Sequence, residues 1–243
     1  MTDPMVVLST SAISAYLRCH YAYLLGYVFR LKGEQSVAAA IGQAVHAGVE
    51  ALHRRQPSQD ALRAAFISEV ASVPRDALAA DPAALVDAQT MLDVYEREVL
   101  PTFSPMLIET PFSFQAEGTI ITGVIDGADD DVRDVKTTSG KTINWRKPRF
   151  DPSRYDMQLG IYRMGYNILT NRWPKRLLLD VLTRRGTYRQ YDRTADVNTN
   201  EVLDVIGIVR DGIAREDYDP TGAMSGACYW CSFKARCAYA VTD

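Results

Sequence analysis

Residues 123–138 read GVIDGADDDVRDVKTT, and this stretch carries the pattern from which the fold is predicted. The apolar residues before Asp126 and around Val135 indicate two short strands, and the GADDD between them is typical of a hairpin turn. Asp134 and Lys136 stand two apart on the second strand, so their side chains face the same way. Pairing of the two strands would bring Asp126 close to Asp134.

These residues are suited to binding a divalent metal and to phosphodiester chemistry. Two aspartates on paired strands supply oxygen ligands that magnesium and manganese prefer, and the Val135 carbonyl offers another. Phosphodiester hydrolysis needs a metal, a cation against the charge that develops on phosphorus, and a held phosphate. Lys136 fits the role of the cation. The alternative is that Asp126 and Asp130 are turn residues and that Asp134 and Lys136 form a surface charge pair.

The pattern on either side of this stretch predicts helices first and strands later. Helical spacing predicts a first helix after Ser9–Ser11 that carries Cys19 in its middle, and further helices over 37–54, 58–72, 82–100, 155–169 and 196–216. Strands are predicted at 106–114, 118–128, 131–138, 176–185 and 186–193. This order predicts an α/β or α+β fold in one domain, residues 1–243, with a small mixed sheet flanked by helices and a helical insertion at 57–104.

Composition places the chain among ordinary globular proteins. It has 243 residues, 47% of them hydrophobic and 23% charged, so it can bury a core without disulfides and resembles neither collagen nor a disordered segment. No run of 18 apolar residues predicts a membrane span. The first residues lack the pattern of a secretory signal, so we expect a cytoplasmic protein.

Charge is distributed unevenly along the chain. Residues 57–132 carry 3 basic and 14 acidic residues, a net charge of −11, whereas residues 133–193 carry 15 and 5, a net charge of +10. The basic stretch is a candidate footprint for a polyanion such as nucleic acid, with Trp145, Phe150 and Tyr155 available to stack unpaired bases. The alternative is a solvated face with acidic neighbours folded alongside.

Two predicted helices carry further candidates. His46 lies on the helix over 37–54, and imidazole accepts manganese or iron well and magnesium less well. Gln158 and Tyr162 stand four apart on a later helix and therefore share one face. Each of the three is, taken alone, more often a packing residue than a functional one.

The four cysteines suggest a metal site. Cys228, Cys231 and Cys237 form C-x2-C-x5-C, and Cys19 lies more than two hundred residues upstream. A structural zinc site usually draws on two local pairs, so one cysteine plus three fits an iron–sulfur cluster better. Zinc with another ligand, or a Cys19 that is only a small buried residue, remain the alternatives.

Six motifs in this order resemble the RecB-like branch of the PD-(D/E)XK nuclease superfamily, and in particular its members with an iron–sulfur cluster. These include CRISPR-adaptation nucleases, the AddB nuclease domain and phage exonucleases. The motifs are S-x2-S-x-Y-x2-C at 11–19, G-x3-H at 42–46, G-x-I-D at 123–126, D-V-K at 134–136, Q-x3-Y at 158–162 and the terminal cysteine triplet. Two departures are His20 after the first cysteine, where many members have proline, and Asp134 where CRISPR-type members often have glutamate.

The resemblance implies a restriction-endonuclease-like core and a role for each motif. Magnesium or manganese would be bound by His46, Asp126, Asp134 and the Val135 carbonyl, with Lys136, Gln158 and Tyr162 as further catalytic residues. A structural 4Fe–4S cluster would be held by Cys19, Cys228, Cys231 and Cys237, with residues 217–243 as the segment that closes it. DNA contacts are expected from Arg146, Lys147, Arg149, Arg154, Arg184 and Arg185.

The function implied is a metal-dependent exonuclease that acts on DNA ends in recombination, repair or phage DNA processing. The alternatives are a catalytically silent iron–sulfur DNA-binding subunit, a CRISPR spacer-processing nuclease, and a zinc-bound regulatory protein. DNA is the expected partner, with a second copy of the chain or a recombination or helicase protein as further candidates. No membrane partner is expected.

Overall fold

The predicted strand pair lies at the centre of a six-stranded mixed sheet in a computed structural model. The structure describes residues 6–139, 143–144, 147–148 and 150–241, and only the backbone of 143–144, 147–148 and Met224. The strands of the large sheet are β1 (Val7–Ser9), β2 (Leu107–Ala116), β3 (Thr119–Ala128), β4 (Val132–Thr138), β7 (Leu177–Thr183) and β8 (Tyr188–Asp192). A separate small pair is formed by β5 (Ile143–Asn144) and β6 (Lys147–Pro148).

Strand β3 has three neighbours, and this arrangement opens a gap in the sheet. β2 pairs with β3 along its whole length, so β1 and β4 must share the other edge. There β1 pairs in parallel with residues 120–122, and β4 pairs antiparallel with only Gly127 and Ala128. In the described part of the chain, residues 123–126 therefore have no strand partner on that edge.

Helices cover both faces of the sheet. They are α1 (Thr10–Arg18), α2 (His20–Tyr23), α3 (Val37–His53), α4 (Ser58–Val70), α5 (Arg75–Ala79), α6 (Ala84–Glu98), α7 (Asp156–Thr170), α8 (Thr199–Ala214) and α9 (Gly222–Ser225). Two of them begin at serines whose hydroxyls accept a backbone N–H: Ser9 from Ala12 and Ser36 from Ala39, both at 3.1 Å.

The buried apolar residues form two clusters. One contains residues of α1, α7 and α8, together with Leu177, Leu179 and Val181 of β7. The other contains residues of α3, α4 and α6, together with Leu182. Because side chains alternate along a strand, these two sets of β7 residues face opposite sides of the sheet. The predicted mixed sheet flanked by helices is confirmed.

The structure differs from the predictions near the start of the chain. Val7–Ser9 form a strand that was not predicted, because three residues carry no periodic signal and their pairing partner is more than a hundred residues away. Cys19 is not in the middle of a helix. Its φ of −166° and ψ of 116° are extended, so the helix ends before it and α2 begins after it. None of the described helices is long and apolar enough to cross a membrane.

Candidate active site

Three side chains that can bind metal meet at the gap in the sheet. Nδ1 of His46, on α3, lies 3.5 Å from Oδ2 of Asp126 and 3.7 Å from Oε1 of Glu109. Among the described residues, this is the one group of three His, Cys, Asp or Glu ligand atoms that all lie within 4.8 Å of one another. Nε2 of His46 lies 3.0 Å from the carbonyl oxygen of Val135. A protonated Nε2 would donate to that carbonyl and leave Nδ1 facing the two carboxylates.

Glu109 was missed from the sequence, and the turn between β2 and β3 explains its position. Glu117 and Gly118 have φ values of 47° and 68°, which is the pattern of a two-residue hairpin turn with both central residues left-handed. Glu109 is eight residues before this turn and Asp126 is eight residues after it, so the hairpin register sets them opposite each other. The turn itself is therefore the signal that could have identified Glu109.

The backbone around Glu109 and Asp126 departs from a regular strand. Glu109 has a φ of 42°, a left-handed conformation that is costly for a residue with a side chain. Ile125 packs in the cluster with α7, whereas Gly127 lies against the ring of Phe103 in the other cluster. Regular alternation would put Ile125 and Gly127 on one face. The alternation is thus broken at Asp126, whose Oδ2 accepts the Val135 N–H at 3.0 Å.

Asp134 and Lys136 form a buried pair beside this group. Nζ of Lys136 donates to Oδ1 of Asp134 at 2.8 Å and lies 2.7 Å from Oδ2. The side chain of Asp134 is 0% exposed and that of Lys136 17%, so the alternative of a surface charge pair is wrong. Oδ2 is buried and accepts no hydrogen bond of good geometry within the described structure. The Lys136 ammonium already lies against this oxygen, and Asp134 is not one of the three converging ligand atoms in the described residues.

The charges at the site shift the pKa values of these groups. Burial raises the pKa of Asp134 to about 6, although the Lys136 ammonium opposes this. Burial lowers the pKa of Lys136, but the carboxylates of Asp134 and Asp126 outweigh burial and raise it. Burial likewise lowers the pKa of His46, but Asp126 and Glu109 raise it to about 9. The group is therefore rich in negative charge and attracts cations.

The pKa of His46 leads to a prediction for the metal-free protein. A histidine whose pKa rises from 6.5 in the unfolded chain to about 9 on folding adds stability that is complete below pH 6.5 and lost as the pH rises to 9. We expect the free energy of unfolding in metal-free buffer to fall by at most about 3 kcal/mol over that window.

Chemical denaturation at a series of pH values measures this effect. His46→Gln should flatten the slope, and Glu109→Gln should reduce it, because Glu109 supplies part of the attraction that raises the pKa. An identical slope in the wild type and in His46→Gln would contradict the assignment.

Gln158 and Tyr162 lie where the shared helix face predicts, on α7 next to the site. The Gln158 amide donates to the Tyr162 hydroxyl at 2.7 Å, and the Tyr162 ring packs edge-on against Phe112. Burial raises the pKa of Tyr162, and the charges of Asp126 and Asp134 raise it further, so its hydroxyl stays neutral. Tyr162 is 5% exposed. Its ring is therefore a packing residue of the core, whereas its hydroxyl belongs to the site.

The cysteines form a second candidate site at another place in the fold. All four line one cavity of about 360 Å³. Burial raises the pKa of the Cys231 thiol, and the three other cysteines raise it further. Among the described residues, no three of the sulfur atoms lie within 4.8 Å of one another. In the part of the chain that the structure describes, the four thiols therefore do not form a close group of metal ligands.

The ends of the cavity come from distant parts of the chain. Gly222 lies so close to Cys19 that a Cβ on the glycine would be 2.8 Å from the cysteine Cβ. Tyr21 and Glu34 donate backbone N–H groups to the carbonyls of Asp219 and Ser232, at 3.2 and 2.8 Å. The extended backbone at Cys19 therefore brings its side chain to the segment with the other three cysteines.

A family model described as the PD-(D/E)XK nuclease superfamily matches residues 7–238. The chain belongs to the PD-(D/E)XK nuclease superfamily. This match includes every residue of the group at the gap and all four cysteines. No curated protein matches the sequence.

Two solved structures are similar to this chain. The chain is similar to a protein from Eubacterium rectale that was provisionally named an exonuclease, with a TM-score of 0.57, 15% identity, and 86% of this chain and 79% of that chain covered. A protein named SSO0001 is matched with a TM-score of 0.44, 14% identity, and 90% of this chain and 93% of that chain covered. At this identity the first likeness concerns the fold alone.

Several described side chains of the basic stretch are paired with acidic residues. Arg184 contacts Asp81 and Asp87 of the helical insertion, and Lys175 pairs with Asp130 at 2.7 Å. Acidic neighbours folded alongside therefore explain part of the charge. Among the expected DNA contacts, Arg154 and Arg185 are exposed, Arg184 is held by its two partners, and Lys147 has only its backbone described. Arg146 and Arg149 lie outside the described residues.

The aromatic residues expected to stack bases have other partners. Phe150 stacks on Tyr155 and on Tyr191, each with ring centroids 5.6 Å apart. The Lys136 ammonium lies 4.9 Å from the centre of the Tyr155 ring. Tyr155 therefore contacts the site itself. Trp145 lies outside the described residues.

Proposed function

We propose that the chain is a metal-dependent DNA exonuclease that hydrolyses phosphodiester bonds at DNA ends. The observation that carries the proposal is the group at the gap in the sheet. His46, Glu109 and Asp126 converge within 4.8 Å, and a lysine held by a buried aspartate lies beside them. Membership of a nuclease superfamily supports the same chemistry.

The residues present fit magnesium or manganese. Carboxylate oxygens are the preferred ligands of both ions, and one imidazole nitrogen favours manganese. We propose His46, Glu109, Asp126 and Asp134 as the side chains that hold the ion. Asp134 is buried beside the other three, with its carboxylate held by the Lys136 ammonium 2.7 Å from Oδ2. The Val135 carbonyl, 3.0 Å from Nε2, would orient the imidazole of His46 so that Nδ1 faces the ion.

A bound ion would supply Lewis acidity, which lowers the pKa of water and polarises a phosphoryl oxygen. The chain's own residues do the rest. Lys136 keeps its proton, because the two aspartates raise its pKa, and so offers a positive charge to the scissile phosphate. Gln158 donates to the Tyr162 hydroxyl, and that hydroxyl can donate in turn to a phosphate oxygen or a water.

Cleavage of end-labelled DNA tests the proposal. Wild-type protein and Asp134→Ala, both purified without oxygen, are mixed with single-stranded or duplex DNA labelled at one end, with magnesium or manganese. We expect only the wild type to shorten the DNA, and to do so from its ends without internal cuts. A chelator should stop the cleavage. The label then gives the polarity of digestion.

Asp130→Ala is the matched control for this experiment. Asp130 also holds a lysine at 2.7 Å, Lys175, but at the surface. Its variant should cleave like the wild type. If wild type and Asp134→Ala both bind DNA and neither cuts it, the enzymatic proposal fails and a DNA-binding subunit takes its place. Internal cuts in a circular substrate would contradict the exonuclease assignment.

We further propose that Cys19, Cys228, Cys231 and Cys237 hold a structural 4Fe–4S cluster. One observation supports it: all four cysteines line one cavity. Thiolates are the usual ligands of such a cluster. Its role would be to fasten the α1–α2 junction to the segment after α8, at a distance from the hydrolytic site.

A further inference from the structure

A cluster of exposed aromatic and basic side chains surrounds the cysteine cavity. We call it the aromatic patch and define it by Arg18, Tyr27, Tyr229, Trp230, Lys234 and Tyr239. Trp230 is 78% exposed and Tyr229 70%, and Tyr27 and Tyr239 are also open to solvent. Large exposed aromatic groups that lie together commonly mark a binding surface.

Contacts join the members of the aromatic patch into one surface. Arg18, Tyr27, Lys234 and Tyr239 all line the same cavity. The Lys234 ammonium lies 5.7 Å from the centre of the Tyr229 ring, and the Tyr229 ring lies 4.6 Å from that of Trp230. Two segments about two hundred residues apart in sequence therefore contribute to one face.

The charge of these two segments is entirely positive. Residues 12–33 contain Arg18, Arg30 and Lys32 and no Asp or Glu, and residues 220–241 contain Lys234 and Arg236 and no Asp or Glu. Together they carry a charge of +5, in a chain with a net charge of −3. Unlike the basic stretch at 133–193, they hold no acidic residues of their own. The two cations of the aromatic patch, Arg18 and Lys234, are complementary to a polyanion, although Glu34 and Asp219 border the two segments.

We propose that the aromatic patch binds single-stranded DNA, by stacking unpaired bases on Trp230 and Tyr229 while the neighbouring cations contact phosphates. This inference rests on DNA as the substrate in the proposed function and adds a binding surface apart from the hydrolytic site. Exposed rings beside basic residues are the combination by which proteins hold single strands without reading sequence. In a duplex the base faces are already stacked, so the rings would gain nothing from it.

Binding of labelled DNA tests the proposal in the absence of any divalent metal, so that nothing is cleaved. Fluorescence anisotropy is measured with an oligothymidylate of about 16 nucleotides and with a duplex of the same length. We expect Trp230→Ala and Tyr229→Ala each to weaken single-strand binding by roughly tenfold and to leave duplex binding unchanged. Trp230→Phe, which keeps a ring, should retain most of the affinity.

Trp173→Ala is the matched control. Trp173 is 56% exposed and lies beside a cation, with the Arg163 guanidinium 5.7 Å from its ring centre, but it is not part of the aromatic patch. Its variant should bind like the wild type. Trp230 lies between Cys228 and Cys231 in sequence, so its replacement could disturb the cysteine segment. The metal content and the melting temperature of each variant show whether the fold is kept.

Unchanged single-strand affinity in both alanine variants would overturn the proposal. An equal loss for single strands and duplex would also overturn it, because base stacking cannot act on a duplex. A change in sedimentation on Trp230→Ala with unaltered DNA binding would mark the patch as a contact between copies of the chain. If the wild type cleaves DNA but its affinity for DNA does not depend on the aromatic patch, this inference fails and the proposed function stands. If it neither cleaves nor binds, the proposed function fails too.

Discussion

Replacement of Lys136 by alanine is expected to reduce DNA cleavage by roughly 10²–10³-fold, the usual cost of removing one preorganised group that stabilises transition-state charge. The ammonium of Lys136 is buried, held by Asp134 and kept protonated by the two aspartates. Initial rates of shortening of end-labelled DNA measure the effect. DNA binding should persist, because a single cation within the site contributes little to the whole contact with the phosphates.

Lys175→Ala is the control for this variant. Both lysines lie 2.7 Å from an aspartate oxygen, but Lys136 is 17% exposed and Lys175 74%. A surface pair contributes little to stability or function, so Lys175→Ala should cleave normally. Equal rates for wild type and Lys136→Ala would remove the lysine from the mechanism. Circular dichroism shows whether Lys136→Ala is still folded. If it is not, Lys136→Met tests the loss of the charge alone, because methionine keeps the bulk of the side chain.

Replacement of Cys228 by alanine is the second change for which we expect a large effect. If the four cysteines hold a cluster, anaerobically purified wild type is brown and contains iron and sulfide, whereas Cys228→Ala is pale and poor in iron. By analogy with a crosslink that closes a loop of about 200 residues, the lost tie reduces the free energy of unfolding by about 5 kcal/mol. Denaturation and metal analysis together measure this effect.

Ser232→Ala is the control for Cys228→Ala. It changes a side chain in the same cysteine segment without removing a thiolate ligand. Ser232 lies next to Cys231 and packs against Gly33, but it does not offer a thiolate. Its variant should keep the iron and the stability of the wild type. Colourless wild-type protein with one equivalent of zinc would contradict the cluster. Stable and fully active Cys228→Ala would show that the cysteines are dispensable.

The strands and helices of the core could be predicted from sequence because their signals are local. The helix that carries His46 is predicted over 37–54 and observed over Val37–His53. The β1 strand could not be predicted, since its three residues gain their structure from pairing with Ile120–Thr122. The break at Cys19 was missed for a similar reason: the apolar spacing continues through it, and contacts with residues of the distant cysteine segment accompany the extended backbone.

The sequence predicted part of the active site. It missed Glu109, whose position depends on the register of the β2–β3 hairpin and on a left-handed backbone conformation. Asp126, Asp134 and Lys136 lie within ten residues of one another, and their pattern is visible in the chain. Glu109 has no motif of its own, and its place beside His46 depends on a turn whose register was not worked out and on a left-handed φ. The partners of Arg184, Asp81 and Asp87, could not be predicted, because they are about a hundred residues away in sequence.

The gap on the shared edge of β3 implies a limit on how stable this enzyme core can become. If β1 were longer, or if β4 paired with more of β3, the backbone of residues 123–126 would gain hydrogen bonds on this edge. These bonds would strengthen the sheet. The same bonds would occupy the space in which Asp126 reaches Val135. Selection for stability and selection for chemistry therefore oppose each other at these four positions. Stabilising changes accepted by evolution or chosen by an engineer should accumulate elsewhere, in the two apolar clusters and the helical insertion.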